Sequence, residues 1–265
     1  MKIGFIGLGN MATAMIGGIL GKQLLNASDI VGTAKTAVTR DKIKSKFNIC
    51  TAETNIEVAR QADILFLAVK PIFLDEVIGE IKAHVKADTL VVSIAAGRDL
   101  RYLKEAFGRS ELKIIRCMPN TPALVLEGCT GISAGEEVPQ ADLDQIVKLM
   151  ESFGKASVVP ERLMDVVVGV SGSSPAYVFM FIEAMADEAV AAGMPRKQAY
   201  EFAAQAVLGS AKMVLETGLH PGELKDMVCS PGGTTIQAVK VLEERGMRAA
   251  VMDAMEACIE KSKSL

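Results

Sequence analysis

K-I-G-F-I-G-L-G-N-M-A, residues 2–12, decides the fold. Lys2 to Ile6 is a short apolar run and reads as a buried strand, and a helical pattern follows through Leu20. Between them stands G-x-G-x-x-A, that is Gly7, Leu8, Gly9, Asn10, Met11 and Ala12. The first glycine makes the turn. The second lets a pyrophosphate approach the backbone, and the small Ala12 lets helix and strand pack closely. A ligand-free strand–helix turn can use the same residues. The motif gains its weight from standing directly after the first strand.

Further along, apolar runs alternate with helical patterns. Strands are expected at Asp29–Gly32, Asp63–Val69, Thr89–Ile94, Lys113–Cys117, Thr130–Ser133 and Ala156–Val159. Helices are expected at Lys35–Phe47, Ile56–Arg60, Phe73–Val85, Asp99–Phe107 and Pro139–Phe153. That alternation predicts a Rossmann-like, doubly wound α/β sheet with a nucleotide site at its first crossover. Ligands sit at the carboxyl ends of such strands, which makes Lys70-Pro71 a wall of the cleft. Ala95-Ala96-Gly97 leaves room there for a flat ring. Asn55 reads as a helix N-cap that could also face the adenosine. The second strand ends in Gly32-Thr33-Ala34-Lys35, with Arg40 nearby and no acid to hold ribose hydroxyls. This favours NADPH, with NADH as the alternative, and Lys35 is either a 2′-phosphate partner or a solvated helix-start charge.

The alternation stops near Pro160, so the expected domains are 1–160, dinucleotide-binding, and 161–265, all-α. In the second part Ala176–Ala192 is apolar nearly all the way round, including Val178, Phe179, Met180, Phe181 and Ile182. Such a helix is buried on most faces. The remaining helices, Pro195–Thr217 and Thr234–Glu260, are too small to wrap it, so an obligate homodimer through this half is expected. Near the end comes V-C-S-P-G-G-T-T-I-Q-A-V-K, residues 228–240. Pro231 stiffens a turn, Gly232 and Gly233 leave its backbone bare, and Thr234 and Thr235 open a helix. The exposed N–H groups of a helix start suit a small carboxylate, and they suit an ordinary cap equally well.

The totals narrow the function classes. A chain of 265 residues, half of them hydrophobic, with a net charge of −3 offers no electrostatic case for nucleic acid. Five scattered cysteines without C-x-x-C spacing and two distant histidines predict neither a disulfide frame nor a metal site. Glycines interrupt the first apolar run and charges break the later ones, so no signal peptide and no membrane span are expected, and the location is read as cytoplasmic.

Taken together the chain resembles the pyrroline-5-carboxylate reductase family over its whole length. The resemblance rests on F-I-G-L-G-N-M-A at 5–12, F-L-A-V-K-P at 66–71, R-C-M-P-N-T-P at 116–122, G-S-S-P-A-Y at 172–177 and H-P-G-E-L-K-D…S-P-G-G-T-T at 220–235. It implies NAD(P)H-dependent reduction of a cyclic imine acid to L-proline. It also implies a dimer of interlocking helical domains, often assembled further into a decamer, a pentamer of dimers. Cofactor contacts would fall on Gly7 to Ala12, Thr33, Ala34, Lys35, Asn55, Ala68, Val69, Lys70, Pro71, Ala95 and Ala96. Substrate contacts would fall on Glu161, Ser230, Gly232, Gly233, Thr234 and Thr235, with the Thr235 hydroxyl beside the ring nitrogen as the catalytic group. Met227 stands where some members carry Asn. Two rivals are a β-hydroxyacid dehydrogenase, which needs a lysine that Ala176–Ala192 lacks, and a non-catalytic NADPH-binding dimer.

Overall fold

In the computed structural model, which describes residues 1–264, eight strands form one sheet: β1 Ile3–Ile6, β2 Ile30–Thr33, β3 Cys50–Thr51, β4 Ile64–Leu67, β5 Leu90–Ser93, β6 Ile114–Met118, β7 Gly128–Ala134 and β8 Gly154–Val158. Their order is β3-β2-β1-β4-β5-β6-β7-β8. β1 lies parallel between β2 and β4, with Phe5 opposite both Gly32 and Phe66. The strand order reverses beside β1, which makes its carboxyl end the crevice where such folds bind ligands.

Every residue of β1, β2, β4 and β5 is buried, as strands covered on both faces must be. Alternate side chains feed two cores. Ile3, Phe5, Phe66 and Val92 point to one, and Ile6, Leu65, Leu67 and Val91 to the other. Phe5 and Phe66 stack with ring centres 4.8 Å apart. Helices α1 Asn10–Gly21, α2 Ala37–Phe47, α3 Asn55–Gln61, α4 Leu74–Ile81, α5 Leu100–Phe107 and α6 Gln140–Met150 connect the strands.

The sheet departs from the expected pattern at its far edge. β7 runs antiparallel to β6, and β8 is parallel to β7. The link Pro119–Glu127 holds a 3-10 turn, Thr121–Val125, closed by Leu126 at φ 65°. It is too short for a crossover helix, which needs about a dozen residues or more, so the chain must double back. β3 was not expected, since two residues carry no periodicity.

Contacts divide the chain into two units, Met1–Ser173 with Cys258–Leu265, and Ser174–Ala257. The first unit also contains α7 Met164–Val167 and a π-helical turn, Val168–Gly172. The buried Asn120 bridges this region: its amide donates to the Ser171 carbonyl at 2.9 Å and its oxygen accepts the Cys129 N–H at 2.8 Å.

The second unit is helical, with α8 Ser174–Ala191, α9 Arg196–Thr217, α10 Pro221–Met227, α11 Thr234–Glu244 and α12 Met247–Lys263, whose last turns belong to the first unit. The single helix expected over 234–260 is broken at Gly246, whose φ of 73° suits glycine and ends a helix. α10 was also missed. His220 caps it, with Nδ1 accepting the Gly222 N–H at 3.0 Å. Within α8 only Ala186 is buried, and Phe179 and Met180 are 62% and 70% exposed. The helix is apolar where the single chain leaves it uncovered. The run Glu161–Ala191 is long and apolar enough to cross a membrane by length and composition, which the sequence reading had not expected.

Candidate active site

The turn after β1 is shaped by two glycines with different tasks. Gly7 has φ 98° and donates its N–H to the Thr33 carbonyl at 3.0 Å. A Cβ there would stand 2.5 Å from the Ala68 carbonyl oxygen, closer than atoms can approach. Gly9 is the N-cap of α1, with no side chain capping the helix and nothing within 4 Å of where its Cβ would be. The start of α1 is therefore bare, carries no acidic residue in its first turn, and offers partial positive charge to an anion. Leu8 is buried and fills the space above Gly32, where a Cβ would stand 2.6 Å from Leu8 Cδ2. Its backbone, not its side chain, is what the turn presents. Ala12 is likewise buried against the core.

Six of the expected cofactor residues, Gly7, Thr33, Ala34, Lys35, Asn55 and Val69, line one cavity of about 340 Å³. β2 ends there without an acid. Arg40 Nη1 donates to the Ala34 carbonyl at 2.8 Å, and Lys35 Nζ lies 5.7 Å from the Phe73 ring centre. Two expectations are corrected here. The second helix starts at Ala37, with Thr36 accepting the Thr39 N–H, so Lys35 stands before the helix and not on it. The cap of α3 is Thr54, in a reciprocal box with Glu57, because a hydroxyl three residues before a glutamate satisfies two N–H groups at once. Asn55 is thereby released, and its amide donates to Glu80 at 2.7 Å.

Phe73, Glu53 and Glu76 also line the cavity and were not anticipated. Glu53 follows the unseen β3, and Phe73 ends a 3-10 turn, Pro71–Phe73, that Lys70-Pro71 begins. Lys70 itself is exposed and Pro71 half-buried. Ala68 donates its N–H to the Ile6 carbonyl at 2.8 Å, continuing the sheet. After β5, Ala95 is buried and donates to Ser93 Oγ at 3.3 Å, Ala96 is half-buried, and Gly97 has φ 72°.

Another bare helix start, this one with glycine at its N-cap, lies in the second unit. Gly233 is the N-cap of α11, with no side chain capping it and no acid in the first turn. Its N–H donates to the Ser230 carbonyl at 3.0 Å, which closes the loop into a tight turn. Gly232 has φ 69° and open space where a Cβ would be. A Cβ on Gly233 would collide with Ser230 Oγ. Ser230, Thr234 and Thr235 are exposed, and none of their hydroxyls makes a hydrogen bond among the described residues. Met227 is 69% exposed at the end of α10.

Glu161 belongs to the first unit. Its Oε1 accepts the Leu100 N–H at 2.7 Å and lies 3.6 Å from Arg116 Nη1. Among the described residues there is no cluster of three or more His, Cys, Asp or Glu that could hold a metal. Burial pushes the Cys117 thiol far above the ordinary cysteine range, so it stays protonated and unreactive.

An acid-free glycine turn on a sheet of this strand order, followed by a helical segment with its own bare helix start, defines a two-part dinucleotide-dependent oxidoreductase. Residues 161–265 match the family model described as pyrroline-5-carboxylate reductase dimerisation, and residues 2–97 match that described as NADP oxidoreductase, coenzyme F420-dependent. The chain belongs to the pyrroline-5-carboxylate reductase family. It is 56% identical to the pyrroline-5-carboxylate reductase of Escherichia coli K12, with all of this chain and 98% of that one aligned. Solved structures are similar as well, among them the two that follow. The pyrroline carboxylate reductase of Plasmodium falciparum with NADP bound has a TM-score of 0.89 at 33% identity, covering 100% of this chain and 97% of that one. The pyrroline-5-carboxylate reductase of Coxiella burnetii has a TM-score of 0.92 at 34% identity, covering 99% and 97%.

Proposed function

We propose that this chain reduces 1-pyrroline-5-carboxylate to L-proline with NADPH. The carrying observation is two helix starts with glycine at the N-cap and no side-chain cap: α1 behind Gly9 for a pyrophosphate, and α11 behind Gly233 for a carboxylate. The dinucleotide supplies the hydride. Backbone N–H groups after Gly9 hold its pyrophosphate, and the acid-free end of β2 with Lys35 accommodates a 2′-phosphate. Asn55 faces the adenosine, and Val69 to Pro71 with Ala95 and Ala96 wall the remaining length. The relative from Plasmodium falciparum, solved with NADP bound, supports this choice of cofactor.

The Ser230–Thr235 loop holds the substrate carboxylate through its N–H groups. Each such bond to a charged acceptor contributes about 1.5–3 kcal/mol. The Thr235 hydroxyl orients the ring nitrogen. A hydroxyl is a poor acid near neutral pH, so the proton comes from solvent or from an already protonated imine. Glu161 Oε2, which has no hydrogen bond among the described residues, is available to a substrate atom.

The functional division is residues 1–160 for the dinucleotide and 161–265 for dimerisation and substrate. The working state is a homodimer in the cytoplasm, with a pentamer of such dimers as the higher assembly. The exposed apolar residues of α8 meet a second copy of the chain and not lipid, in keeping with the dimerisation model that covers them.

The test is an assay of NADPH and NADH consumption with pyrroline-5-carboxylate, set beside 3-hydroxyisobutyrate with NAD. Imine-dependent oxidation of NADPH is expected. Turnover of the hydroxyacid alone, or binding without turnover, would transfer the chain to one of the rival classes.

A further inference from the structure

Arg116 and Glu161 form a pair through Glu161 Oε1, the carboxylate oxygen that the reaction as proposed does not use. Arg116, in the middle of β6, is only 5% exposed, and its guanidinium makes no hydrogen bond among the described residues. Its ion-pair partner is Glu161 Oε1, the same oxygen that takes the Leu100 N–H. Leu100 is the first residue of α5, so Glu161 satisfies one of that helix's unpaired N–H groups. Asp99 satisfies another, accepting from the Tyr102 N–H at 2.7 Å. The turn leading into α5 is held by Ala95 to Ser93 Oγ at its near end and by Leu100 to Glu161 at its far end. Between the two lie Ala96 and Gly97. A buried guanidinium stripped of the carboxylate beside it is costly, so the pair resists being pulled apart.

We propose that Glu161, held by Arg116, is a positioning residue for the dinucleotide: through Oε1 it fixes the 95–100 turn and thereby the place of the nicotinamide ring. The residue at which the dimerisation match begins would then also set the geometry of the cofactor wall. This rests on the reading that Ala95 and Ala96 face the ring.

The experiment uses the full-length chain. Amide hydrogen exchange is measured without ligand in the wild type, Glu161→Ala and Glu161→Gln, and NADPH affinity is measured by fluorescence titration. In Glu161→Ala, exchange over residues 95–100 is expected to rise about tenfold or more, with the amides of the Gly7–Ala12 turn unchanged. NADPH affinity is expected to fall about tenfold. Glu161→Gln keeps an oxygen for the Leu100 N–H and should recover most of both. Arg116→Lys, which keeps the charge without the guanidinium fork, should show the same local rise and serves if Glu161→Ala does not fold. A rise spread over the whole first unit would mean lost stability only and would overturn the proposal. So would a local rise with unchanged NADPH affinity. The exchange readout involves no substrate, so its failure is distinguishable from failure of the reductase assignment.

Discussion

Gly7 and Gly9 are two residues apart and have opposite sensitivities. At Gly9 a methyl meets no protein atom, so Gly9→Ala should keep the folding free energy within about 1 kcal/mol of wild type. The methyl would occupy the proposed path of the pyrophosphate, and NADPH affinity should fall at least about tenfold. Gly7→Ala should instead lose about 2 kcal/mol or more of stability, from its positive φ and its collision with the Ala68 carbonyl. Denaturant titration with NADPH fluorescence separates the two, and equal destabilisation by both would contradict the open phosphate turn. Thr235→Ala should cut kcat/KM about tenfold or more, the loss of one aligned hydrogen bond. Steady-state kinetics near wild type would remove Thr235 from the mechanism. The glycines were legible in the sequence because a backbone demand leaves a mark in residue type. The roles of Asn55 and Thr54 were not. Both are good caps, and only the reciprocal bond with Glu57 shows which one is used.

Among the elements, the Asn120 bridge has the clearest cost. It serves a strand and a π-turn together, and a π-turn displaces carbonyls from their usual helical partners. Asn120→Ala should destabilise the chain by about 1–3 kcal/mol in urea unfolding, because the Ser171 carbonyl loses its donor in a buried place. No change would mean that water replaces the amide at no cost. The same region shows where reading from sequence stops. β1, β4 and β5 were legible as short, largely apolar runs, since burial on both faces demands them. The reversal at β7 depends on how short its link is, and apolarity does not record direction. β3 consists of Cys50 and Thr51, too few residues to show any period. The break at Gly246 was hidden because helical spacing continues on both sides of it.

For the whole molecule, the second unit leaves Phe179, Met180 and Phe202 largely exposed, more apolar surface than a lone chain tolerates well. Met180→Glu should place a charge in the shared surface and shift dimer to monomer in sedimentation equilibrium. NADPH binding should persist, since the residues proposed for it lie in the first unit, while imine reduction is lost. A fully active monomer would refute the dimer requirement. The shortfall of helical cover was visible from the sequence, because Ala176–Ala192 is apolar nearly all the way round and the remaining helices are too small to wrap it. That a second copy covers it was expected on the same ground; how the two copies meet was not legible, because one chain's sequence holds no record of its neighbour's position. The joint action of a dinucleotide and a ring acid held by bare N–H groups is tested most directly with NADPH carrying deuterium at its transferable position. The product of pyrroline-5-carboxylate should be L-proline bearing one deuterium on the ring carbon formerly double-bonded to nitrogen. Unlabelled proline, or NADPH consumed without proline, would contradict it.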